Sequence, residues 1–229
     1  MRFGGLFARL EGMKVLLIDV DGTIINSFPG IRQSLFKALD EYGWPRPSEE
    51  VLRKLPGPPL KVTLRSYGMN ESEVNEVFGL YRTFYSEDGW SNSQLFDGWE
   101  ESLKLWKEQG FTLCTATSKY EDTAAQMLEH LGVAHYFDFI GGANNIDRDT
   151  KADVIAWVLQ NLGIEDSASE IALMIGDRSH DTEGAAKFGI PTALVGWGHG
   201  DQAEFDQAAY FAHNMRELSA IVAQHFSTQ

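Results

Sequence analysis

The 229-residue chain has one cysteine, few basic residues and no long apolar run. No stretch approaches the roughly 20 apolar residues that cross a bilayer as a helix, which excludes a membrane span of that kind. The lone Cys114 cannot form an internal disulfide, and its place in the apolar run "FTLCTA" fits a buried thiol in a reducing compartment. Nineteen Lys and Arg against 33 Asp and Glu give a formal net charge of -14. Nucleic acid and anionic membrane surfaces are disfavoured as partners, because both need clustered positive charge. Internal repeats and low-complexity segments are also lacking. The opening "MRFGGLFARLEG" has neither the long apolar core nor the small-residue cleavage site of a signal peptide, so it reads as a short helical extension or a frayed end. A cytoplasmic protein is expected.

What is present is an ordinary globular composition, 43% hydrophobic and 23% charged. Apolar runs of strand length recur at "KVLLID" (14–19), "FTLCTA" (111–116), "FDFIG" (137–141), "IALMIG" (171–176) and "TALVG" (192–196). Helical patterns separate the later runs: "GWEESLKLWKEQG", "YEDTAAQMLEHLG", "TKADVIAWVLQNLG" and "DTEGAAKFG", most of them closed by a glycine suited to a helix C-terminus. Strands alternating with helices predict an α/β fold, a Rossmann-like three-layer α/β/α core around a parallel sheet.

The interval between the first two strands is too long for one crossover helix. It holds helical patterns throughout: "IRQSLFKALDEYG" with Ile31, Leu35, Leu39 and Tyr42 on one face, then "EEVLRKL", "LKVTLRSYG", and "ESEVNEVFGLYRTFYSEDG" capped by Asn70. The expected organisation is a Rossmann-like core of residues 1–27 and 96–229, with an all-helical cap domain, 28–95, inserted after the first strand. An insertion hinged beside a site can serve as a lid.

The chemistry begins at "VLLIDVDGTIINS", Val15 to Ser27, where a buried strand runs straight into two aspartates. Unpaired buried charge is costly, so Asp19 and Asp21 must be paired, metal-bound or protonated. A calcium loop would need further oxygen ligands at alternating positions, but Ile24 and Ile25 follow. An acidic turn with solvated carboxylates would explain the motif alone, but not its companions. "TATSK" ends the second strand with Thr117 and amides at an expected helix start, an anion site. Lys151 in "RDTKADVI" offers a point charge, and "GDRSHD" offers Asp177 and Asp181 four residues apart. In an open parallel sheet these strand ends share one edge, where ligands bind at the switch point.

From about Lys14 to the last helix, the chain resembles the haloacid dehalogenase superfamily, in particular its phosphoglycolate phosphatase-like branch with a helical cap. The aspartate pair followed by Gly-Thr matches Asp19, Asp21, Gly22 and Thr23; the strand-end hydroxyl matches Thr117, the lysine Lys151, and the late acidic motif Asp177 and Asp181. The resemblance implies a phosphatase acting on a small phosphomonoester, phosphoglycolate-like or nucleotide-like. Asp19 would be the nucleophile and Asp21 the general acid and base. Mg²⁺ would be held by the Asp19 carboxylate, the Asp21 carbonyl and Asp177, with Asp181 orienting from behind. Thr117, the Ser118 amide and Lys151 would bind the transferring oxygens, and Gly22, Thr23 and Gly57 would lie along the substrate. The expected partner is a small phosphorylated metabolite, and the chain is expected to act as a monomer or homodimer.

A dehalogenase or a phosphonate-cleaving enzyme is disfavoured, since those branches lack the second aspartate, present here as Asp21. Two alternatives stay open: a phosphosugar mutase, which keeps both aspartates, and a catalytically idle binder of a phosphorylated ligand. Lys119 and Arg178 read equally well as softeners of the negative field or as solvated charges. His199 in "GWGHG" and His180 are expected outside the chemistry, and Tyr81, Phe84 and Tyr85 are expected in the core of the cap. The turn at Gly57, Pro58 and Pro59 could bring backbone close to a ligand or simply join two helices.

Overall fold

The computed structural model describes residues 12–48, 52, 60–144, 146–164 and 168–227. The expectations for the first residues, for most of "EEVLRKL" and for the Gly57–Pro59 turn lie outside them. The chain divides into two compact units, one of Met1–Ile25 with Leu95–Gln229 and one of Asn26–Gln94.

The first unit is built on six parallel strands: β1 (Val15–Ile18), β4 (Thr112–Tyr120), β5 (Phe139–Ala143), β6 (Ala172–Gly176), β7 (Thr192–Val195) and β8 (Tyr210–Ala212), in the order β5-β4-β1-β6-β7-β8. Two further short strands, β2 (Ile25–Asn26) and β3 (Gln94–Leu95), form a separate pair where the chain leaves and re-enters this unit. All four residues of β1 are fully buried, which is why its sequence is continuously apolar instead of alternating. Leu17 stands in register with Cys114 and Met174. That row packs on Val154, Ile155 and Val158 of the helix Lys151–Leu162 and on Ala185 of the helix Ser179–Ala186. The alternate row of Leu16, Leu113 and Leu173, also fully buried, turns to the other face. The helices Trp99–Glu108 and Met215–Ser227 pack on the sheet without joining the first cluster and complete three layers. Each fully buried leucine or isoleucine contributes about 1.5–3 kcal/mol relative to exposure.

Strand order reverses at β1, with β4 and β5 on one side and β6, β7 and β8 on the other. The carboxyl ends of β1, β4 and β6 therefore flank one crevice, the usual ligand position of an open parallel sheet.

The fold differs from the expectation at the short β2–β3 pair, whose second strand falls in the interval read as helical throughout, and at β8 and β4. Strand β8 was not anticipated, because three edge residues, "YFA", two half-buried and one buried, carry too short a pattern to register. Strand β4 does not stop at Thr117 but stays extended to Tyr120, with a register shift against β5, and its helix starts at Glu121. The amides near Thr117 consequently belong to an irregular strand end and not to a helix N-terminus.

The second unit is helical over Phe28–Tyr42, Leu60–Ser66 and Glu71–Glu87, and adds a 3₁₀ turn at Gly89–Ser91. Asn70 caps the third helix by accepting the amides of Ser72 and Glu73, while Glu73 reaches back to the Asn70 amide. Leu35, Leu39, Leu64, Val74 and Val77 form its core, with Tyr81 and Phe84 packed against it. Tyr85 stacks on Tyr81 at 5.6 Å between ring centroids. Among the described residues, no helix is long and apolar enough to cross a membrane.

Candidate active site

Asp19 follows the last residue of β1, and its amide donates to the Ile175 carbonyl of β6 at 2.9 Å, so the sheet itself fixes its backbone. Lys151 comes from 132 residues away. Thr150 caps its helix with a reciprocal Asp153 contact and sets Lys151 as the first helical residue. The ammonium donates to Asp19 Oδ1 at 2.7 Å and to the Ala116 carbonyl at 2.8 Å, and lies 2.8 Å from Asp181 Oδ1. Lys151 is almost fully buried, as are Asp177 and Asp181.

Asp177 follows β6, and its Oδ2 accepts the His199 amide at 2.7 Å. Asp181 Oδ2 accepts the amides of Asp177 and Arg178 at 3.0 and 3.1 Å, which ties down the turn that carries Asp177. Close approach here requires glycine. A β-carbon on Gly22, whose φ is +77°, would stand 2.2 Å from Asp177 Oδ2, and one on Gly198 would stand 2.4 Å from Asp177 Cβ.

The electrostatics follow from this crowding. Burial, then Asp19 and Asp181, push the Asp177 carboxyl up to about 8, against the pull of the His199 amide. Burial likewise lifts Asp19, Lys151 draws it down and Asp181 lifts it again, leaving it above the ordinary carboxylate range. Burial alone would lower the Lys151 ammonium, but Asp181 and Asp19 more than offset that and hold it above its usual value. Asp19, Asp177 and Asp181 each bring one carboxylate oxygen to within 4.8 Å of the others. Three crowded hard-oxygen donors, with the Asp19 and Asp177 carboxyls raised by burial and one lysine between Asp19 and Asp181, fit a small divalent cation.

Asp21 sits in a turn closed by the Gly22 amide to the Ile25 carbonyl at 2.9 Å. Its Oδ2 lies 2.9 Å from Lys119 Nζ, while Oδ1 and Thr23 Oγ1 are buried with no hydrogen-bond partner among the described residues. Thr117 is buried, and its Oγ1 accepts the Lys119 amide at 3.2 Å; Ser118 is exposed.

The structure thus brings together Asp19, Lys151, Asp177 and Asp181, and sets Asp21, Gly22 and Thr23 on the adjoining turn. Gly57 lies outside the described residues. The reading of Lys119 as a solvated charge does not hold, because its side chain is nearly buried against Asp21. Arg178 is likewise engaged, 2.9 Å from Glu204 Oε2. Burial opposes ionisation of Glu204, yet Arg178 and the Ser179 groups hold its carboxyl at about 2. His180 is exposed, as expected. Sequence reasoning missed what the "GWGHG" loop does. Its glycines let the His199 amide reach Asp177, and Trp197 Nε1 donates to the Thr23 carbonyl at 2.9 Å. The glycine spacing was the available signal.

A parallel sheet with clustered carboxylates and a buried lysine at its switch point defines the class. Residues 16–195 match the haloacid dehalogenase-like hydrolase family, and the chain belongs to it. Its fold agrees with that of a haloacid dehalogenase-like hydrolase from Streptococcus pneumoniae, with a TM-score of 0.84 and 31% identity over 92% of this chain and 99% of that one. The 5'-nucleotidase of Pseudomonas aeruginosa is 31% identical over 92% of this chain and 96% of its own. The phosphoglycolate phosphatase of Vibrio parahaemolyticus is 28% identical over 93% and 97%. A Mycobacterium tuberculosis relative, named tyrosine-protein kinase PtkA, is 40% identical over 196 residues. That match takes in 85% of this chain but only 66% of the mycobacterial protein.

Proposed function

We propose that the protein is a Mg²⁺-dependent phosphatase that hydrolyses a small phosphomonoester through an aspartyl-phosphate on Asp19. The observation that carries this reading is the placement of Asp19, fixed at the end of β1 within reach of Lys151 and beside Asp177. Asp19 attacks phosphorus, the bond to the leaving oxygen breaks, and Asp21 gives that oxygen a proton. Water then attacks the aspartyl-phosphate, Asp21 takes the proton from water, and Asp19 leaves as carboxylate. Lys151, Thr117 and the Ser118 amide hold the transferring oxygens, with Gly22 and Thr23 lining the approach. A divalent cation would be held by Asp19, the Asp21 carbonyl and Asp177, and would supply charge neutralisation between nucleophile and phosphate. Asp181 keeps Lys151 and the Asp177 turn in place. Phosphate release from a panel of phosphorylated metabolites, with and without Mg²⁺, tests the proposal; absence of release with every member would refute it.

Asp21→Ala should slow both halves of the cycle. The loss should be at least about tenfold greater for an alkyl phosphate, whose leaving oxygen needs a proton, than for 4-nitrophenyl phosphate. Equal losses with the two would remove Asp21 as the acid.

The helical unit of residues 26–94 is the part proposed to choose the substrate. In that role Gly57→Val should reorder the ranking of large and small phosphomonoesters in kcat/KM. A uniform loss across them would remove Gly57 from substrate choice.

One observation favours a second reading, the kinase name of the 40% identical mycobacterial relative. A kinase would deliver the phosphoryl group to a tyrosine hydroxyl instead of water. Incubation with γ-labelled ATP separates the two, since a phosphatase gives inorganic phosphate and a kinase gives stable phosphotyrosine on a protein acceptor.

A further inference from the structure

The contact between Lys119 and Asp21 has no part in the cycle as written above, yet it is built with care. The Lys119 side chain is 9% exposed, and its ammonium lies 2.9 Å from Asp21 Oδ2. Burying a lysine to this extent is unfavourable unless its charge is used. The other oxygen, Asp21 Oδ1, is buried and has no hydrogen-bond partner among the described residues. The orientation of the carboxylate therefore rests on Lys119. The backbone on both sides is fixed: the Asp21 turn is closed by Gly22 and Ile25, and the Lys119 amide donates to Thr117 Oγ1. Neither partner can drift far while the strand ends hold.

Resting on the proposed roles of Asp19 and Asp21, we infer that Lys119 is a positioning residue for the second half of the cycle, holding the Asp21 carboxylate where it takes a proton from the attacking water. The reason is one of charge. The attraction exists in full only while Asp21 is a carboxylate, which is its state when water's oxygen bonds to phosphorus and the phosphorus–oxygen bond to Asp19 breaks. When Asp21 carries the proton for the leaving oxygen, the attraction is largely gone. Losing Lys119 therefore bears on breakdown of the aspartyl-phosphate more than on its formation.

Kinetics with 4-nitrophenyl phosphate separate these halves, since kcat/KM reports events up to formation of the phosphoenzyme and kcat also includes its hydrolysis. Lys119→Met keeps the aliphatic length and removes the charge. It should lower kcat about tenfold or more while kcat/KM stays within about threefold, so that KM falls too. A burst of nitrophenolate equal to the enzyme concentration should appear. Lys119→Arg, with its charge retained, should recover part of kcat. A merely structural role would lower kcat and kcat/KM together with no burst, and a role in holding substrate would raise KM; either result overturns the inference. Asp21→Ala serves as the reference. If it shows the burst and Lys119→Met does not, only the Lys119 role falls. If neither does, the assignment of Asp21 as the base falls and takes this inference with it.

Discussion

Asp19→Asn should lower turnover by about a thousandfold or more on any good substrate, because the amide keeps the shape of the side chain and removes the anion proposed as nucleophile. The fold should survive, and in metal-free protein it should gain. Lys151 keeps Asp181 2.8 Å away and the Ala116 carbonyl as its acceptor, so the variant does not strand a buried cation. Meanwhile, one of three crowded carboxylates is gone. The Asp19 carboxyl stands above its ordinary range, chiefly from burial, so in the metal-free native state its ionisation costs stability. Thermal melts at neutral pH in a chelator should show a midpoint equal to or above that of the unaltered protein. Circular dichroism would confirm the fold, and near-full activity would remove Asp19 as nucleophile.

Metal removal should have the second large effect, nearly complete loss of phosphatase activity that Mg²⁺ restores. Charge counting gives the reason. Each pair of like charges 4 Å apart repels by roughly 4 kcal/mol at an effective dielectric near 20, and an incoming phosphate adds to the three carboxylates already present. Lys151 alone cannot balance that. Asp177→Ala should weaken Mg²⁺ binding and cut activity, with partial recovery at high Mg²⁺. Calcium should bind and support little turnover, since its looser and higher coordination would misplace the Asp19 oxygen proposed to attack.

The same cluster gives a readout independent of activity. Asp177 has its carboxyl raised from 3.8 to about 8. Between those values the native state binds more protons than the unfolded chain, so metal-free stability should fall as pH rises through that window. Mg²⁺ should abolish most of the decline by favouring the ionised carboxylate. Melting temperatures from pH 4 to pH 8, in chelator and in Mg²⁺, measure this. Parallel curves in the two conditions would contradict a cation site at Asp177.

Much of this was legible from the chain because the burial that builds the fold also marks the sequence. β1 is covered on both faces, so "VLLI" is continuously apolar and the aspartates after it stand out. Thr150 and Gly163 bracket the Lys151 helix with ordinary capping chemistry, and Gly163 adopts a φ of +72°. The meeting of Lys151 with Asp19 was inferable only through topology, since parallel strands put their carboxyl ends on one edge. The contacts that escaped are those that depend on rotamer and loop path. The pairing of Lys119 with Asp21 needs β4 to stay extended past Thr117, and nothing in "TSKY" distinguishes that from a helix beginning earlier. Arg178 finds Glu204 across a loop whose course no periodicity encodes.

The central claim is that the phosphoryl group passes through Asp19. Rapid acid quench of the enzyme during turnover, followed by borohydride reduction and peptide mass mapping, reads this directly, because reduction converts an acyl phosphate on aspartate into homoserine. Homoserine should appear at position 19, only when substrate and Mg²⁺ are both present, and should vanish in Asp19→Asn. An unmodified Asp19 during productive turnover, with the phosphoryl group found on tyrosine or on no residue, would contradict it.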